Sequence, residues 1–400
     1  MVEAKAAEVN NEVIALRHHF HQYPELSNRE FKTAKRIAEE LDKLGLPYET
    51  GVAITGVVAV LDSGKPGPTI ALRADIDGLP VTERTTYLGE DTGVMHACGH
   101  DTHIAMLLGT AKILVGMKDQ LKGKVVFVFQ PAEEGAPVGE EGGAALMIKE
   151  GIIDKYGIDV FFGQHISSAT PMGHINYKLG GIMAAADPFT ITVHGKQSHG
   201  SRPWGGIDPV TISAQIIQGL NNIVSRQMDL TNEAAVITVG KIKGGFRGNI
   251  VPEEVEMIGT IRTLDTDMQK DLHERMHRTV KHIAESAGAT ATLDIQPGYP
   301  VTFNHLELTR QMLPSLYKAA GEENVHVIPA VTGAEDFSFF ANEVPGLYFF
   351  TGGKPLDSTT PAPHHTPDFF LDDNCMETGV KAMTMLTLDY MNGNLDLGGK

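Results

Sequence analysis

Four short, almost entirely apolar segments in the first half of the chain constrain its fold more than any other feature. They are residues 54–61, 69–75, 124–130 and 159–165. Runs of this length without alternation are typical of strands that are buried on both faces of a sheet covered by helices. The stretch 103–120 between two of them has a helical pattern. The sequence therefore predicts a layered α/β domain.

The first amphipathic helix is predicted to begin at a capping box. Ser27 and Glu30 stand three positions apart, and apolar residues recur with helical spacing from Phe31 to Leu44 before Gly45. In a capping box, each of the two side chains accepts a hydrogen bond from the other residue's backbone N–H. The pattern therefore places Ser27 and Glu30 at the start of this helix.

The pattern of the sequence changes near residue 187. Segments that alternate between apolar and polar residues then follow with two long amphipathic helices in the order β-α-β-β-α-β, which is typical of a small sheet with two helices on one face. The α/β pattern returns after about residue 300, with a buried strand at 346–352. We therefore predict an α/β domain, residues 1–186 and 301–400, interrupted by an inserted α+β domain, residues 187–300.

The composition of the chain excludes several classes of function. It has 33 basic and 50 acidic residues and a formal net charge of −17, which argues against a nucleic acid or an anionic membrane as a partner. Its two cysteines cannot build a disulfide framework. Neither a signal-peptide pattern nor a run of about eighteen apolar residues occurs. We therefore expect a cytoplasmic protein, or an exported one whose signal peptide has been removed.

The octapeptide HACGHDTH, residues 96–103, has the composition of a metal site. Cys98 and His100 can bind one cation only if the backbone turns between them, and Gly99 permits such a turn. Thiolate and imidazole groups are typical ligands of zinc and neighbouring transition metals. The alternative is a histidine-rich helix start that contains a buried cysteine, and the octapeptide alone does not separate the two.

Two adjacent carboxylates stand just beyond the apolar segment 124–130. Glu133 and Glu134 follow Pro131 closely, and like charges at such a position favour a nearby cation. Because neighbouring residues point in different directions, one of them can bind a metal ion while the other acts as a base on a bound water. The alternative is a solvated acidic loop, which is our interpretation of residues 138–143.

Histidines stand at or after the ends of two further predicted strands. His165 closes the segment 159–165, and His364 and His365 lie in a proline-bounded loop after the segment 346–352. Polar side chains at the carboxyl ends of neighbouring strands form the sites of open α/β sheets. Cysteine, histidine and glutamate side chains from separate strand ends therefore predict a metal site.

Seven motifs along the chain together resemble one known family. They are HQYPELSNREFKTA, ALRADIDGLPV, MHACGHDTHIAMLLG, FVFQPAEEG, GTIRT, GAEDFSFF and HHTPDF. In this order they resemble the M20 metallopeptidases, and among these the branch of hippurate hydrolases, N-acyl-amino-acid hydrolases, auxin-conjugate hydrolases and related carboxypeptidases. The similarity runs from about residue 13 to about residue 390. It implies a zinc-peptidase-like α/β catalytic domain with an inserted ferredoxin-like lid or dimerisation domain.

The resemblance implies a pair of divalent metal ions in each subunit, with Zn or Mn as the first choice and Co or Ni as alternatives. The ligands that it implies are Cys98, His100, Glu134, His165 and His365. Glu133 matches the general base, and Asp77 is a better match than Asp75 to a supporting carboxylate. His364 stays open as an alternative, although the ligand histidine of this branch commonly stands two residues before a proline, which favours His365.

The inserted domain carries residues that the resemblance assigns to the substrate. His199 matches a histidine that reaches towards the substrate, and Asn249 and Arg262 match positions that bind its carboxylate. A guanidinium fork is a natural receptor for a carboxylate. An exposed strand residue in an ion pair is the alternative for Arg262. The segment departs from the family pattern at residues 197–198, which are Gln and Ser, and at Trp204.

The resemblance implies hydrolysis of the amide bond of N-acyl amino acids by a metal-activated water, with Glu133 as the general base. Metallocarboxypeptidase or dipeptidase action on short peptides at the same site is the alternative. Two hypotheses from other classes are a hydrolase with Cys98 as its nucleophile and a metal-stabilised binding protein without catalysis. Apolar edge strands in the inserted domain favour a homodimer or a higher homo-oligomer.

Overall fold

The computed structural model of this chain describes residues 1–84 and 93–393. Contacts divide the chain into two compact units. The first comprises Met1–Gly180, Phe303–Pro329 and Phe339–Lys400, and the second comprises Gly181–Thr302 and Ala330–Ser338. The fold class predicted from the sequence, α/β with an inserted α+β unit, is confirmed. The domain boundaries at 187 and 300 lie within the second unit and stay a prediction.

The elements follow one another along the described chain with these bounds. The α-helices are α1 (Val2–Gln22), α2 (Phe31–Lys43), α3 (His100–Val115), α4 (Gly143–Lys149), α5 (Ile152–Tyr156), α6 (Pro209–Gln227), α7 (Thr266–Ser286), α8 (Leu306–Ala320), α9 (Phe337–Glu343) and α10 (Met376–Asn392). The strands are β1 (Tyr48–Val52), β2 (Gly56–Asp62), β3 (Thr69–Asp75), β4 (Lys124–Gln130), β5 (Val160–Pro171), β6 (Ile175–Tyr177), β7 (Gly180–Met183), β8 (Ala185–His194), β9 (Ser198–His199), β10 (Ala235–Gly244), β11 (Ile250–Val251), β12 (Glu254–Thr263), β13 (Thr290–Ile295), β14 (Thr302–Asn304), β15 (Val325–Val327) and β16 (Gly346–Lys354). None of the described helices is long and apolar enough to span a membrane.

A mixed sheet forms the centre of the first unit. Within the described residues its strand order is β1-β2-β4-β3-β5-β16-β6-β15. β3 runs parallel to both β4 and β5, and β5 runs parallel to β16. The carboxyl ends of these four strands therefore point towards the same edge of the sheet, where open α/β folds place their sites. In the ladders, Asp75 is opposite Gln130 and His165 is opposite Phe350.

The core of the first unit joins this sheet to α1, α2, α3, α8 and α10. α3 is buried on almost all sides, since fourteen of its sixteen residues are buried. A helix that is apolar all round belongs in the interior, and its rigid position fixes the residues at its start. Gly109 lets α1 approach closely, because a Cβ there would lie 2.5 Å from Cγ2 of Val13.

The second unit is built on an antiparallel sheet with the order β10-β12-β8-β13. The chain follows the predicted order β8-α6-β10-β12-α7-β13, with the short β9 and β11 added. Apolar residues of α6, such as Ile216, and of α7, such as Met276, share one core with Ile191 of β8. Asp208 and Asp265 cap the two helices through the backbone N–H groups of their first turns.

The capping box predicted for α2 is wrong. Glu30 precedes the helix without any side-chain cap bond, and Oγ of Ser27 donates instead to Asp77 at 2.8 Å. The first-turn N–H groups of residues 32 and 33 both donate to Oε2 of Glu25, each at 2.8 Å. Glu25, which is not part of the predicted capping box, therefore caps the helix. Ser27 and Glu30 are available for other contacts.

Candidate metal centre

Cys98 and His100 reach the edge of the sheet through the turn that opens α3. Gly99 between them has a φ of +91°, in the region that glycine enters without strain. A Cβ at this position would lie 2.4 Å from Cγ2 of Ile166, so the contact between the turn and β5 also requires glycine. The backbone turn that the octapeptide needed is therefore present.

Glu133 and Glu134 lie in the turn that follows β4. Ala132, which precedes them, has a φ of +53°. Asp77 accepts the N–H of Glu133 on Oδ1 at 3.1 Å and the N–H of Glu134 on Oδ2 at 3.0 Å. Although burial opposes it, hydrogen bonds from His100, from the N–H of Glu134 and from Ser27 hold the pKa of Asp77 below its usual value. Asp77 is therefore an ionised support for the backbone of this turn.

Five of the predicted side chains meet at this edge: Cys98, His100, Glu134, His165 and His365. Sγ of Cys98 lies 3.3 Å from Nε2 of His165 and 3.2 Å from Nε2 of His365. Oε1 of Glu134 lies 3.2 Å from Nε2 of His365 and 3.9 Å from Nε2 of His100. Ligand atoms around a four-coordinate zinc ion are about 3.3–3.7 Å apart. The cluster therefore already has nearly the spacing of a metal site.

The hydrogen bonds around the cluster leave its donor atoms turned inward. Nδ1 of His165 donates to the carbonyl of Ile166 at 2.6 Å, and Nδ1 of His100 donates to the carbonyl of Asp77 at 2.9 Å. In the neutral form each ring therefore has an unprotonated Nε2, as metal-binding histidines do. Nε2 of His100 and Oε1 of Glu134 are buried without a hydrogen-bond partner among the described residues. These two atoms fit a bound cation.

The electrostatics of Cys98 also fit a cation. Burial, and then the charges of Glu134 and Glu133, raise the pKa of its thiol well above the usual value. A catalytic cysteine needs the opposite shift, because the thiolate is the nucleophile. A thiolate at this position needs a positive charge next to it, which a divalent ion supplies. The geometry therefore favours Cys98 as a ligand over Cys98 as a nucleophile.

A second histidine of the octapeptide belongs to a support network that the sequence interpretation missed. Asp75, His100 and His103 lie close enough together to hold a cation, but the ligand atoms of Asp75 and His103 are already engaged in hydrogen bonds. Arg73 donates to Asp75 at 2.8 Å, and Nδ1 of His103 donates to the same carboxylate. Nε2 of His103 accepts the N–H of Ile166 at 2.8 Å. The one available signal was the spacing of His103, a helical turn after His100.

The structure places the two histidines of the last loop differently. Nε2 of His364 accepts the N–H of Ser168 at 3.1 Å, and burial lowers the pKa of its ring to about 4. His365 has a φ of +60° and donates its N–H to the carbonyl of Ala97 at 2.9 Å. This backbone directs Nε2 of His365 to Sγ of Cys98, whereas Nε2 of His364 is bound to Ser168.

His199 and Asn249 lie beside each other in the second unit, on the short ladder of β9 and β11. His199 is opposite Ile250, and the N–H of Gly200 donates to the carbonyl of Asn249 at 2.7 Å. Both side chains are exposed. Nδ1 of His199 accepts the N–H of Ser201 at 3.1 Å and lies 2.9 Å from its Oγ. Because Nδ1 is an acceptor, the proton of the neutral ring is on Nε2.

Arg262 lies elsewhere in the second unit, near the far end of β12. Roughly 27 Å of extended chain separates Glu254, where β12 begins, from Arg262. The link from Asn249 to Glu254 spans at most about 17 Å. The half-buried guanidinium donates to Oγ1 of Thr260 and, at 3.0 Å, to the carbonyl of Ile261. The histidine and the asparagine are therefore brought together, and the arginine is apart from them.

Comparisons with known proteins identify the family of this chain. Residues 71–389 match the sequence profile of peptidase family M20/M25/M40. Thermostable carboxypeptidase 1 of Saccharolobus solfataricus is 41% identical over 96% of this chain and 97% of that protein. N-acetyl-L-cysteine deacetylase of Bacillus subtilis is 36% identical over 92% of this chain and 85% of that protein.

A solved structure shows the same similarity. The YXEP protein of Bacillus subtilis, a dinuclear metal-binding peptidase of the M20 family, aligns with a TM-score of 0.81 and 31% identity. The alignment covers 96% of this chain and 99% of that one. The chain therefore belongs to peptidase family M20/M25/M40 and is a metal-dependent hydrolase of that family.

Proposed function

We propose that this enzyme cleaves the amide bond between an acyl group and the nitrogen of an amino acid with a free carboxylate. The observation that carries the proposal is the cluster of Cys98, His100, Glu134, His165 and His365 with the carboxylate of Glu133 next to it. Metal ligands and a base on the same turn are what amide hydrolysis by a water molecule requires. The similarity to a thermostable carboxypeptidase favours action on the C-terminal bond of short peptides as the second candidate.

The cluster would hold two divalent ions. Cys98 belongs to one ligand group with His100 and His165, and to another with Glu134 and His365. When bound, such ions lower the pKa of a water molecule and polarise the carbonyl group that it attacks. Zn and Mn are the first choice, and Co and Ni are alternatives that accept the same nitrogen, oxygen and sulfur donors.

Glu133 is the proposed general base. Its N–H is held by Asp77, its side chain is buried, and its Oε2 lies 3.8 Å from Nε2 of His100. From this position the carboxylate can take the proton of the attacking water and deliver it to the leaving amine. General bases contribute roughly 10²–10⁴-fold to the rate of such reactions.

His199 is the proposed donor to the oxygen that becomes negative during attack. Its Nδ1 is occupied by Ser201, so its Nε2–H is available to a ligand. A hydrogen bond that strengthens as charge develops stabilises the transition state more than the bound substrate. His199 should therefore affect turnover more than substrate binding.

Arg262 and Asn249 are the proposed receptors of the substrate carboxylate. Arg262 lies far along β12 from the ladder that carries His199 and Asn249, which supports the proposal that the three groups at one site do not all come from one chain. We therefore propose a homodimer in which His199 and Asn249 of one chain and Arg262 of the other serve one substrate. Exposed apolar side chains on the edge strand β10, Val236 and Ile242, support an interface in the second unit.

Mixing two inactive variants tests the shared site. Glu133→Gln and His199→Ala proteins are inactive for different reasons, so a mixed dimer contains one complete site if Glu133 and His199 of each site come from different subunits. Recovered activity after subunit exchange supports sharing. Exchange verified by mass spectrometry without any recovery contradicts it.

A panel of substrates tests the function itself. Apo-protein receives Zn, Mn, Co or Ni and is assayed on N-acetyl, N-benzoyl and N-aminoacyl amino acids, each with its carboxyl-amidated form as the matched control. We expect the N-acetyl or N-benzoyl compounds to be hydrolysed fastest and the amidated forms to be poor substrates. Faster hydrolysis of the N-aminoacyl compounds would favour the peptidase alternative, and full activity without any metal would contradict both.

A further inference from the structure

The segment from Ser27 to Glu30 contacts the turn that carries the two candidate glutamates. Glu30 is fully buried. Its Oε1 accepts the N–H of Ala132 at 2.9 Å, and its Oε2 accepts Oγ1–H of Thr55 at 2.6 Å. A side chain that the sequence pattern assigned to helix capping is therefore bound to the residue that precedes Glu133.

The contact stabilises an unfavourable backbone conformation at Ala132. Ala132 has a φ of +53°, and a residue with a Cβ in the left-handed region costs roughly 1–2 kcal/mol. Glu30 holds the N–H of Ala132, and Asp77 holds the N–H groups of Glu133 and Glu134. Two buried carboxylates thus bind three consecutive N–H groups, which determines the directions in which the two glutamate side chains leave the turn.

The carboxylates of Asp77 and Glu30 contact different parts of the site. Asp77 is also bound to Ser27 and lies next to His100, so it serves the metal side of the cluster as well. Among the described residues, the two oxygens of Glu30 accept hydrogen bonds from Ala132, which precedes the base Glu133, and from Thr55, which is outside the cluster. A change at Glu30 is therefore expected to displace Glu133 more than the ligands.

We infer that Glu30 is a positioning residue, which holds Ala132 in its left-handed conformation and thereby aligns the carboxylate of Glu133 for proton transfer. The role of Glu133 as the base rests on the proposed function, whereas the hold of Glu30 on the turn does not depend on it. The contact depends on the length of the side chain rather than on its charge. The N–H of Ala132 needs an acceptor at the right distance, and any carbonyl oxygen can supply it.

Two substitutions separate the effect of side-chain length from the effect of charge. Glu30→Gln keeps the length of the side chain and an acceptor oxygen but removes the charge, whereas Glu30→Asp keeps the charge and shortens the side chain by one methylene. Thr55→Val is the matched control, since it removes the other hydrogen bond of the same carboxylate without touching the turn. Metal content is measured for every variant beside kcat and KM.

We expect kcat of Glu30→Asp to fall roughly 10–100-fold, as small misplacements of a reacting group do, with KM and metal content unchanged. Glu30→Gln and Thr55→Val should keep kcat within about threefold of the wild type. Hydrogen exchange of a peptide covering residues 130–136 gives a second readout without substrate or metal. Exchange there should be faster in Glu30→Asp and unchanged in Thr55→Val.

The inference is overturned if Glu30→Asp keeps the wild-type kcat and exchange, if Glu30→Gln loses as much activity as Glu30→Asp, or if Thr55→Val shows the same loss. A wild-type enzyme that hydrolyses none of the substrates contradicts the proposed function instead. In that case the exchange of residues 130–136 still decides whether Glu30 holds the turn.

Discussion

The candidate ligands of the first unit and the candidate substrate residues of the second unit are held in opposite ways. Cys98, His100 and Glu133 are 8%, 0% and 6% exposed, and Asp77, from a distant part of the sequence, binds the ring of His100 and the backbone of Glu133. Among the candidate ligands His365 is the exception, since its side chain is 54% exposed. His199 and Asn249 are exposed. The hydrogen bonds of His199 come from Ser201, two residues away.

The difference separates groups that are fixed before a substrate binds from groups that are engaged only with the substrate. In the first unit a fixed network holds the base and the buried ligands in place before a substrate arrives. The buried like charges that this network leaves would be balanced by a bound cation. In the second unit exposed donors are bound to water until a ligand replaces it, so they can serve binding without a cost to the fold. Substitutions in the two units should therefore fail in different ways.

The largest effect should follow from Glu133→Gln. We expect activity to fall by roughly 10²–10⁴-fold with both metal ions retained, because the fold and the ligands do not require this charge. Glu134→Gln should instead lose metal. Activity assays together with metal analysis by mass spectrometry check both. If Glu133→Gln loses metal and Glu134→Gln keeps it, the roles of the two glutamates must be exchanged.

The two cysteines give the next contrast. Cys98→Ala should lower metal occupancy, because Sγ of Cys98 lies within 3.3 Å of two candidate ligand nitrogens. Cys375 is buried at the start of α10, outside the candidate ligand groups of the described residues. Cys375→Ala should therefore leave the metal content at the wild-type level. Equal occupancy in the two variants would remove Cys98 from the ligand set.

A smaller effect, confined to recognition, is expected in the second unit. Arg262→Ala should lower kcat/KM by roughly 10–100-fold, which corresponds to one charge-assisted pair, with metal content and Tm unchanged. Amidation of the substrate carboxylate should cause a similar loss in the wild type. Because both changes break one interaction, their effects should not add. Full additivity in this double-mutant cycle would show that Arg262 does not bind the carboxylate.

The smallest effect should be on stability and should depend on pH. Burial, and then the charge of Asp77, raise the pKa of Glu30 from 4.5 to about 7. The folded protein therefore holds a proton that the unfolded chain releases, and stability falls as pH rises from about 4.5 to 7. The Glu30→Gln protein has no carboxyl group to ionise at this position and should not lose stability in this way. The difference in free energy of unfolding, variant minus wild type, should therefore rise by about 1–3 kcal/mol between pH 5 and pH 8.

Denaturant titrations of both proteins at the two pH values check this prediction. Asn249→Ala is the control from the exposed region, and its difference from the wild type should not change with pH. An equal difference for Glu30→Gln at both pH values would show that Glu30 is ionised in the folded protein without penalty.

Local patterns in the sequence predicted the elements and their order well. The apolar segments 69–75 and 124–130 are strands with these bounds, and the alternation after residue 187 is the antiparallel sheet. Such patterns record burial on one face or on both, which neighbouring residues determine. The polar residues at the strand ends followed from the same patterns, because parallel strands end at one edge of a sheet.

Other features depended on residues that are distant in the sequence. The pattern around Ser27 indicated a capping box, but Glu25 accepts the first-turn N–H groups of the helix. The carboxylate of Glu30 instead accepts the N–H of Ala132. The support of His103 by Asp75 likewise needs α3 and β3 to be in place.

By itself the sequence determined the fold class, the family and the residue types of the metal cluster, because periodicity and motif order are properties of consecutive residues. Only the tertiary structure decided which partner each polar group meets: Nε2 of His365 rather than that of His364 lies next to Sγ of Cys98, and Glu30 accepts the N–H of Ala132. A short polar side chain has several acceptors within reach of its own segment. The packing of distant strands and helices buries some N–H groups, and each of these needs an acceptor. The polar side chain binds the N–H group that would otherwise have no partner.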